Sequence, residues 1–264
     1  MSETQPTVLS IAGFDPSAAA GVGADLKTFA AFDAHGVAII TVLTAQNSGG
    51  VQAVHPLPKE FVGQQIESVL GDVEVSAVKI GLLGTSRVAR LLADMLGRDP
   101  LPNVVIDPVM RSSSGTDLLD RKGIAILRER LLSAARLVTP NLHEAAVLAG
   151  MEEIRDVPAM KEAARRIHAL GPRAVVVKGG HLATRALDVV YDGRRFTLYD
   201  ASKVSGEGPR GLGCAFSSAI AAQLARGVAL NTAVDHAKRY VSRAILRAVR
   251  VGRGRPLLDH FVQI

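Results

Sequence analysis

The chain has no tryptophan, and only 4% of its 264 residues are aromatic. Its core must therefore be aliphatic, and a base-stacking surface for nucleic acid is hard to assemble. There is one cysteine, Cys214, so no internal disulfide can form and nothing points to an oxidising compartment. No apolar run approaches the ~20 residues of a membrane span. The first residues, MSETQP, lack the basic start and apolar stretch of a secretory signal. The expected location is the cytoplasm, with no membrane partner.

What is present is a large aliphatic fraction. Hydrophobic residues make up 48%, enough for a sizeable core and the opposite of a disordered composition. The net charge is +6. Most basic residues are scattered. The one concentration is Lys238, Arg239, Arg243, Arg247, Arg250, Arg253 and Arg255, which reads as a solvated helix face rather than a nucleic-acid surface.

Short β-rich runs alternate with helical ones. Strands are expected at residues 8–11, 37–45, 77–80, 104–106, 137–138 and 174–177. Helices are expected at 24–34, 59–70, 86–96 with Ser86 as N-cap, a run through Ile124 and Leu132, 144–148, 160–170, 214–225 and 232–249. Two runs around Tyr191-Asp192-Gly193 read as an antiparallel hairpin. The pattern predicts an α/β fold with a mostly parallel central sheet and helices on both faces, as one domain over 1–264. Ligands of such sheets sit at the carboxyl ends of the strands.

The residues after each strand therefore carry the functional reading. A small-residue turn, Gly13 to Gly21, follows the first strand; Asp15 reads as its cap. Gln46 follows the second and can offer a donor and an acceptor to a heterocycle edge. Asp107 follows the strand at 104–106, where a carboxylate suits Mg²⁺. Asn141 and Glu144 lie three apart after the strand at 137–138. They suit hydrated Mg²⁺ and phosphate oxygens, or a capping box, or both together. Lys178-Gly179-Gly180-His181 puts a lysine and unobstructed backbone at another strand end; His181 reads as a polar loop residue.

The strongest stretch runs from Gly206 to Cys214 and opens a helix. Glycines there free backbone N–H groups to converge on an anion, and the helix end adds about half a positive charge. Gly206, Gly208 and Gly211 match G-x-G-x-x-G, but late in the chain and without the acidic partner of a dinucleotide site. No G-x-x-x-x-G-K-[ST] occurs, which argues against a P-loop enzyme.

From about Val8 to His260 the chain resembles the hydroxymethylpyrimidine/phosphomethylpyrimidine kinases, a ribokinase-like family. The resemblance is carried by Ile11-Ala12-Gly13-x-Asp15, Ala24-Asp25-Leu26-Lys27-Thr28-Phe29, Thr44-Ala45-Gln46-Asn47, Val78-Lys79-Ile80-Gly81, Asp107-Pro108-Val109-Met110, Thr139-Pro140-Asn141, Lys178-Gly179-Gly180-His181, and Gly213-Cys214 with the helix that follows. It implies γ-phosphate transfer from ATP, with Mg²⁺, to a pyrimidine hydroxymethyl group and then to the monophosphate. Gly13, Asp25, Gln46, Leu82 and Val109 would hold the pyrimidine. Asp107 and Glu144 would hold the metal. Asn141, Glu144, Lys178, Arg210 and Gly211 would hold the nucleotide phosphates. Gly211, Gly213, Cys214 and Lys178 would be catalytic, Cys214 standing where related sugar kinases carry an aspartate base. Its place at a helix N-terminus predicts a lowered thiol pKa. A homodimer is expected.

The sequence departs from the family's usual pattern at Arg210 (usually His), Leu212 (usually Thr-like), Leu82 (usually Met), Phe14, Ala18-Ala19, Gly23 and Ser112-Ser113-Ser114. Two other readings follow. One is a pyridoxal-type kinase of the same fold. The other is a weakly active pyrimidine-binding paralogue, motivated by Leu212.

Overall fold

In the computed structural model, residues 5–112, 115–180, 186–201 and 208–262 are described. His181, Ser113, Ser114, Gly206 and Glu207 lie outside them.

Alternation along the strands sorts side chains to two faces of one sheet. The strands are β1 (Thr7–Phe14), β2 (His35–Asn47), β3 (Gly50–Pro56), β4 (Ala77–Ile80), β5 (Val104–Ile106), β6 (Leu137–Val138), β7 (Val175–Gly179), β8 (Ala186–Tyr191) and β9 (Phe196–Ala201). They form a nine-stranded sheet in the order β3-β2-β1-β4-β5-β6-β7-β8-β9. From β2 through β7 all neighbours are parallel; β3, β8 and β9 add antiparallel edges.

One face buries Leu9, Ile11, Val78, Ile80, Val104, Ile106, Val175 and Val177 against α2 (Lys59–Leu70), α3 (Ser86–Arg98), α5 (Leu142–Ala149) and α6 (Val157–His168). The other buries Val8, Ala77, Val105 and Val176 against α1 (Gly21–Ala31), α7 (Leu212–Ala225) and α8 (Leu230–Leu246). Stepping two residues onward along this second face reaches Ser10, Lys79, Asp107 and Lys178. The strand period therefore delivers these polar groups to the face that α1 and α7 cover.

Apart from Gln223, α7 is apolar or small all round and buried from Ala215 to Leu224, as a helix enclosed between the sheet and two neighbours must be. Its start is set by Gly211, whose φ of 84° is left-handed. A Cβ there would lie 1.8 Å from the Ala19 carbonyl oxygen, so only glycine fits.

Several boundaries differ from the sequence expectation for identifiable reasons. α1 starts three residues earlier and ends at Ala31. Asp33 takes a left-handed φ of 53°, and the N–H groups of Asp33 and Ala34 bond back to Ala30 and Phe29. This is a glycine-type helix stop made by an aspartate. The N-cap of α3 is Thr85, not Ser86: its side chain accepts from Val88 N–H at 3.2 Å. The expected helix through Ile124 and Leu132 is α4 (Arg121–Ile126), followed by a wider-wound turn at Leu127–Leu131 and a tight one at Leu132–Ala134. β3 was not expected. It is a short edge strand closed by Pro56, where a missing N–H costs nothing on the open side.

Candidate active site

The carboxyl ends of β1, β4, β5, β6 and β7 surround the N-terminus of α7. Asp107, just past β5, is nearly buried. Its Oδ1 accepts from Lys178 Nζ at 2.7 Å and from Thr139 Oγ1 at 3.3 Å. Its Oδ2 has no hydrogen bond among the described residues. A Cβ on Gly213 would stand 3.3 Å from Lys178 Nζ and 3.4 Å from Asp107 Oδ2. The glycine thus lets the helix N-terminus close on a lysine–carboxylate pair, and any side chain there would have to push that pair aside.

Asn141 caps α5. Its Oδ1 accepts from Glu144 N–H at 2.9 Å, and Glu144 Oε2 accepts from Asn141 N–H at 2.8 Å. The capping box is therefore real, and it leaves Asn141 Nδ2 without a bond among the described residues. Burial, together with the charge of Asp107, raises the Glu144 carboxyl to about 7, although Lys178 opposes the shift. Burial works against the Lys178 ammonium, but Asp107 and Glu144 together hold it above its ordinary value. Two carboxylates held near one another with a single ammonium between them favour a further cation. The oxygen donors Asp107 and Glu144 fit a hydrated Mg²⁺ in ligand type. Among the described residues no larger cluster of metal-binding side chains occurs.

Cys214 follows the turn and is partly exposed. The thiol is raised rather than lowered, against the expectation from its helix-end position. Burial pushes it up to about 11, with Lys79 pulling the other way and Asp25 and Asp107 adding to the rise. Desolvation and nearby carboxylates outweigh the helix end, so the thiol is protonated at neutral pH.

On the β1–β2 side, Gly13 is buried against Leu82; a Cβ there would lie 2.9 Å from Leu82 Cδ2. Leu82, just past β4, and Val109, just past β5, are partly exposed. Gln46 Nε2 donates to Asp15 Oδ2 at 2.8 Å, and Asp15 also accepts from the N–H groups of Ser17 and Ala20. Asp15 is the turn cap, and Gln46 is engaged with it. A heterocycle would have to compete for that amide.

Asp25 departs from the substrate contact that the resemblance implies. It is wholly buried with Lys79, at 0% exposure for both side chains. Lys79 Nζ donates to both its oxygens at 2.8 and 2.9 Å, Ser10 Oγ donates at 2.6 Å and Ser218 Oγ at 2.8 Å. The carboxylate is saturated and lies beneath the site, pinning β1, β4, α1 and α7 together. Sequence reasoning gave no role to Ser10, Lys79 or Ser218. The available signal was a lysine inside an otherwise apolar strand, since a lysine is rarely buried without a partner.

Arg210 is 6% exposed. Its Nη1 donates to the Asn47 carbonyl at 3.1 Å, so it turns toward β2 rather than toward Lys178. Leu212 is partly buried and packs against the α1–α8 face of the core.

Fold and site together define a small-molecule phosphotransferase of the ribokinase-like class. The phosphomethylpyrimidine kinase family model matches residues 15–259. The hydroxymethylpyrimidine/phosphomethylpyrimidine kinase of Aquifex aeolicus is 39% identical, over 95% of this chain and 98% of that protein. The bifunctional thiamine biosynthesis protein ThiED of Geobacter sulfurreducens is 41% identical over 97% of this chain, which spans 52% of that longer relative. A Bacillus subtilis pyridoxal kinase, solved as an ADP complex, superposes with a TM-score of 0.90 at 35% identity, over 97% of this chain and 98% of that one. The chain belongs to the phosphomethylpyrimidine kinase family. Among the described residues no helix is long and apolar enough to cross a membrane.

Proposed function

We propose that the chain transfers the γ-phosphate of ATP to the hydroxymethyl group of 4-amino-5-hydroxymethyl-2-methylpyrimidine and then to the resulting monophosphate, as a homodimer in thiamine biosynthesis. The observation that carries this reading is the convergence at Gly213. There the N-terminal turn of α7 closes on the Lys178 ammonium and the free Asp107 Oδ2. That arrangement suits charge building on a transferring phosphoryl group.

In the first transfer the hydroxymethyl oxygen bonds to the γ-phosphorus and the bond to the bridging oxygen breaks, leaving ADP with the electron pair, while the hydroxyl proton passes to the transferred phosphoryl oxygens and on to water. The turn at 211–214 holds the phosphoryl oxygens by backbone N–H groups, and Lys178 offsets their charge. Asp107 and Glu144 would hold Mg²⁺, which supplies charge neutralisation on the phosphates when bound. The thiol of Cys214, protonated at neutral pH, orients the acceptor hydroxyl rather than standing as a ready base. A loose transition state asks little of a base.

The pyrimidine sits, in this reading, among Gly13, Gln46, Leu82 and Val109. Gln46 exchanges its bond to Asp15 for one to the heterocycle edge. The likeness to a pyridoxal kinase gives the second reading its weight, since that ring has a similar size and a hydroxymethyl acceptor. Steady-state assays with ATP and Mg²⁺ on the hydroxymethylpyrimidine, its monophosphate and pyridoxal separate them. Both pyrimidines should exceed pyridoxal in kcat/KM. Turnover of pyridoxal alone would reassign the substrate, and tight pyrimidine binding without product would remove the enzyme reading.

A further inference from the structure

A guanidinium is rarely buried without an anion, because taking a charge out of water costs several kcal/mol unless it is paired. Arg210 breaks this pattern. It is 6% exposed, and its Nε is the one buried side-chain donor or acceptor without a hydrogen-bond partner among the described residues. Among the described residues its side chain makes one hydrogen bond, to a neutral carbonyl, that of Asn47, at 3.1 Å. The carboxylate whose charge favours the guanidinium, Asp15, is already committed to Ser17, Ala20 and Gln46. A second guanidinium, Arg255, faces the same region and donates to the Gly208 carbonyl. Burial and Arg255 both work against the Arg210 charge, and Asp15 only partly offsets them.

The location gives this unpaired charge a purpose. Arg210 directly precedes the turn at 211–214 and reaches the end of β2, next to Gln46. Lys178 stands at the opposite side of that turn, against Asp107. The turn therefore has a cation on each flank, Lys178 toward β7 and Arg210 toward the β2 end that carries the acceptor-binding glutamine. Phosphorylating an acceptor that already carries a phosphate brings two anionic groups to one turn, and a single lysine cannot neutralise both.

We propose that Arg210 is a specificity-determining residue that binds the phosphate of a phosphomonoester acceptor through its free Nε edge. The inference rests on the kinase reading above for the identity of that acceptor, the pyrimidine monophosphate.

The test compares the wild-type chain with Arg210→Met, which keeps an unbranched apolar stem without charge, and Arg210→Lys, which keeps the charge without the fork. Three quantities are measured: KM and kcat for the monophosphate, the unphosphorylated pyrimidine and ATP; calorimetric affinity for both pyrimidines without ATP; and the ligand-free melting temperature. In Arg210→Met the ratio of the monophosphate KM to the unphosphorylated KM should rise at least tenfold, about the effect of one charge-assisted hydrogen bond. Arg210→Lys should recover part of that ratio. The ligand-free melting temperature of Arg210→Met should equal or exceed that of the wild type, because an unpaired buried charge has been removed.

Equal weakening of both acceptors overturns the proposal, as does weakening of ATP alone, which would assign the site to the γ-phosphate. A fall in melting temperature with unchanged ratios would make Arg210 a structural pin on Asn47. If the wild type phosphorylates neither pyrimidine, the kinase reading fails, and calorimetry still decides this one. Tighter binding of the monophosphate that is lost in Arg210→Met supports it, and equal binding of the two pyrimidines overturns it.

Discussion

Replacing Lys79 by Met leaves the Asp25 carboxylate wholly buried with only the hydroxyls of Ser10 and Ser218 as donors. Two of its four close hydrogen bonds, at 2.8 and 2.9 Å, are lost together with the ammonium that pairs with it. Breaking a buried pair from one side costs about 3–5 kcal/mol, much of it the stranded charge. Replacing Asp25 by Leu strands the Lys79 ammonium instead and should cost a similar ~3–5 kcal/mol. The double variant strands no charge. It leaves only two serine hydroxyls to find new partners, about 1–3 kcal/mol each at most and less where Ser218 turns back to its own helix. The double variant should therefore be more stable than either single one, which requires a favourable coupling larger than either single loss, above roughly 3–5 kcal/mol. Urea unfolding at fixed pH and ionic strength, with unchanged m-values required, measures all four corners of the cycle. Additive losses, or single losses below ~1 kcal/mol, would refute the claim that this pair pins β4 and α1 beneath the site.

Gly211→Ala should distort the phosphate turn, because its φ of 84° disfavours a Cβ that would also meet the Ala19 carbonyl at 1.8 Å; we expect kcat/KM to fall on the order of 100-fold and stability by about 1–2 kcal/mol, read by kinetics and urea unfolding. The raised Glu144 carboxyl should make ligand-free stability decline as pH rises from about 4.5 to about 7, since the folded chain holds a proton there that the unfolded chain has released. Buried His260, lowered to about 4 first by desolvation, has the opposite slope between about 4 and 6.5, so the comparison is with Glu144→Gln, which should lack the Glu144 slope alone. Matching pH profiles of the two proteins would count against the shift. With its thiol pushed up to about 11, Cys214 should react with iodoacetamide at pH 7.5 roughly 300-fold more slowly than a free thiol of pKa about 8.5; an alkylation midpoint below pH 9 would contradict this. Cys214→Ala should lower kcat by about tenfold, the effect of one orienting hydrogen bond, and a full rate would leave the thiol without a role.

Much of the strand–helix order is legible in the sequence because each strand is a short apolar run with its own bounding turn. Ala77–Ile80, Val104–Ile106 and Leu137–Val138 are strands over the expected residues. The strand-end rule then leads directly to Asp107, Asn141 and Lys178. Three kinds of feature escape it. The Ser10–Asp25–Lys79–Ser218 network is built across β1, α1, β4 and α7, so its members become neighbours only once strand register and helix placement are fixed. The thiol of Cys214 depends on how deeply the turn is packed and on which carboxylates lie near, and neither follows from its place at a helix start. β3 and the Asp33 helix stop have weak local signals, a proline-ended edge run and an aspartate standing in a glycine position. Arg210 was visible as a departure from the family's pattern, but the direction it faces was not.

The central claim is that the turn at 211–214, flanked by Lys178 and Asp107, binds the transferring phosphoryl group. A crystal structure with a non-hydrolysable ATP analogue and the hydroxymethylpyrimidine tests it most directly. The account predicts the γ-phosphate oxygens within hydrogen-bond distance of the backbone N–H groups of Gly213 and Cys214, with the hydroxymethyl oxygen facing the phosphorus from the Gln46 side. A γ-phosphate bound away from that turn, or a pyrimidine seated outside Gly13, Gln46, Leu82 and Val109, would contradict it.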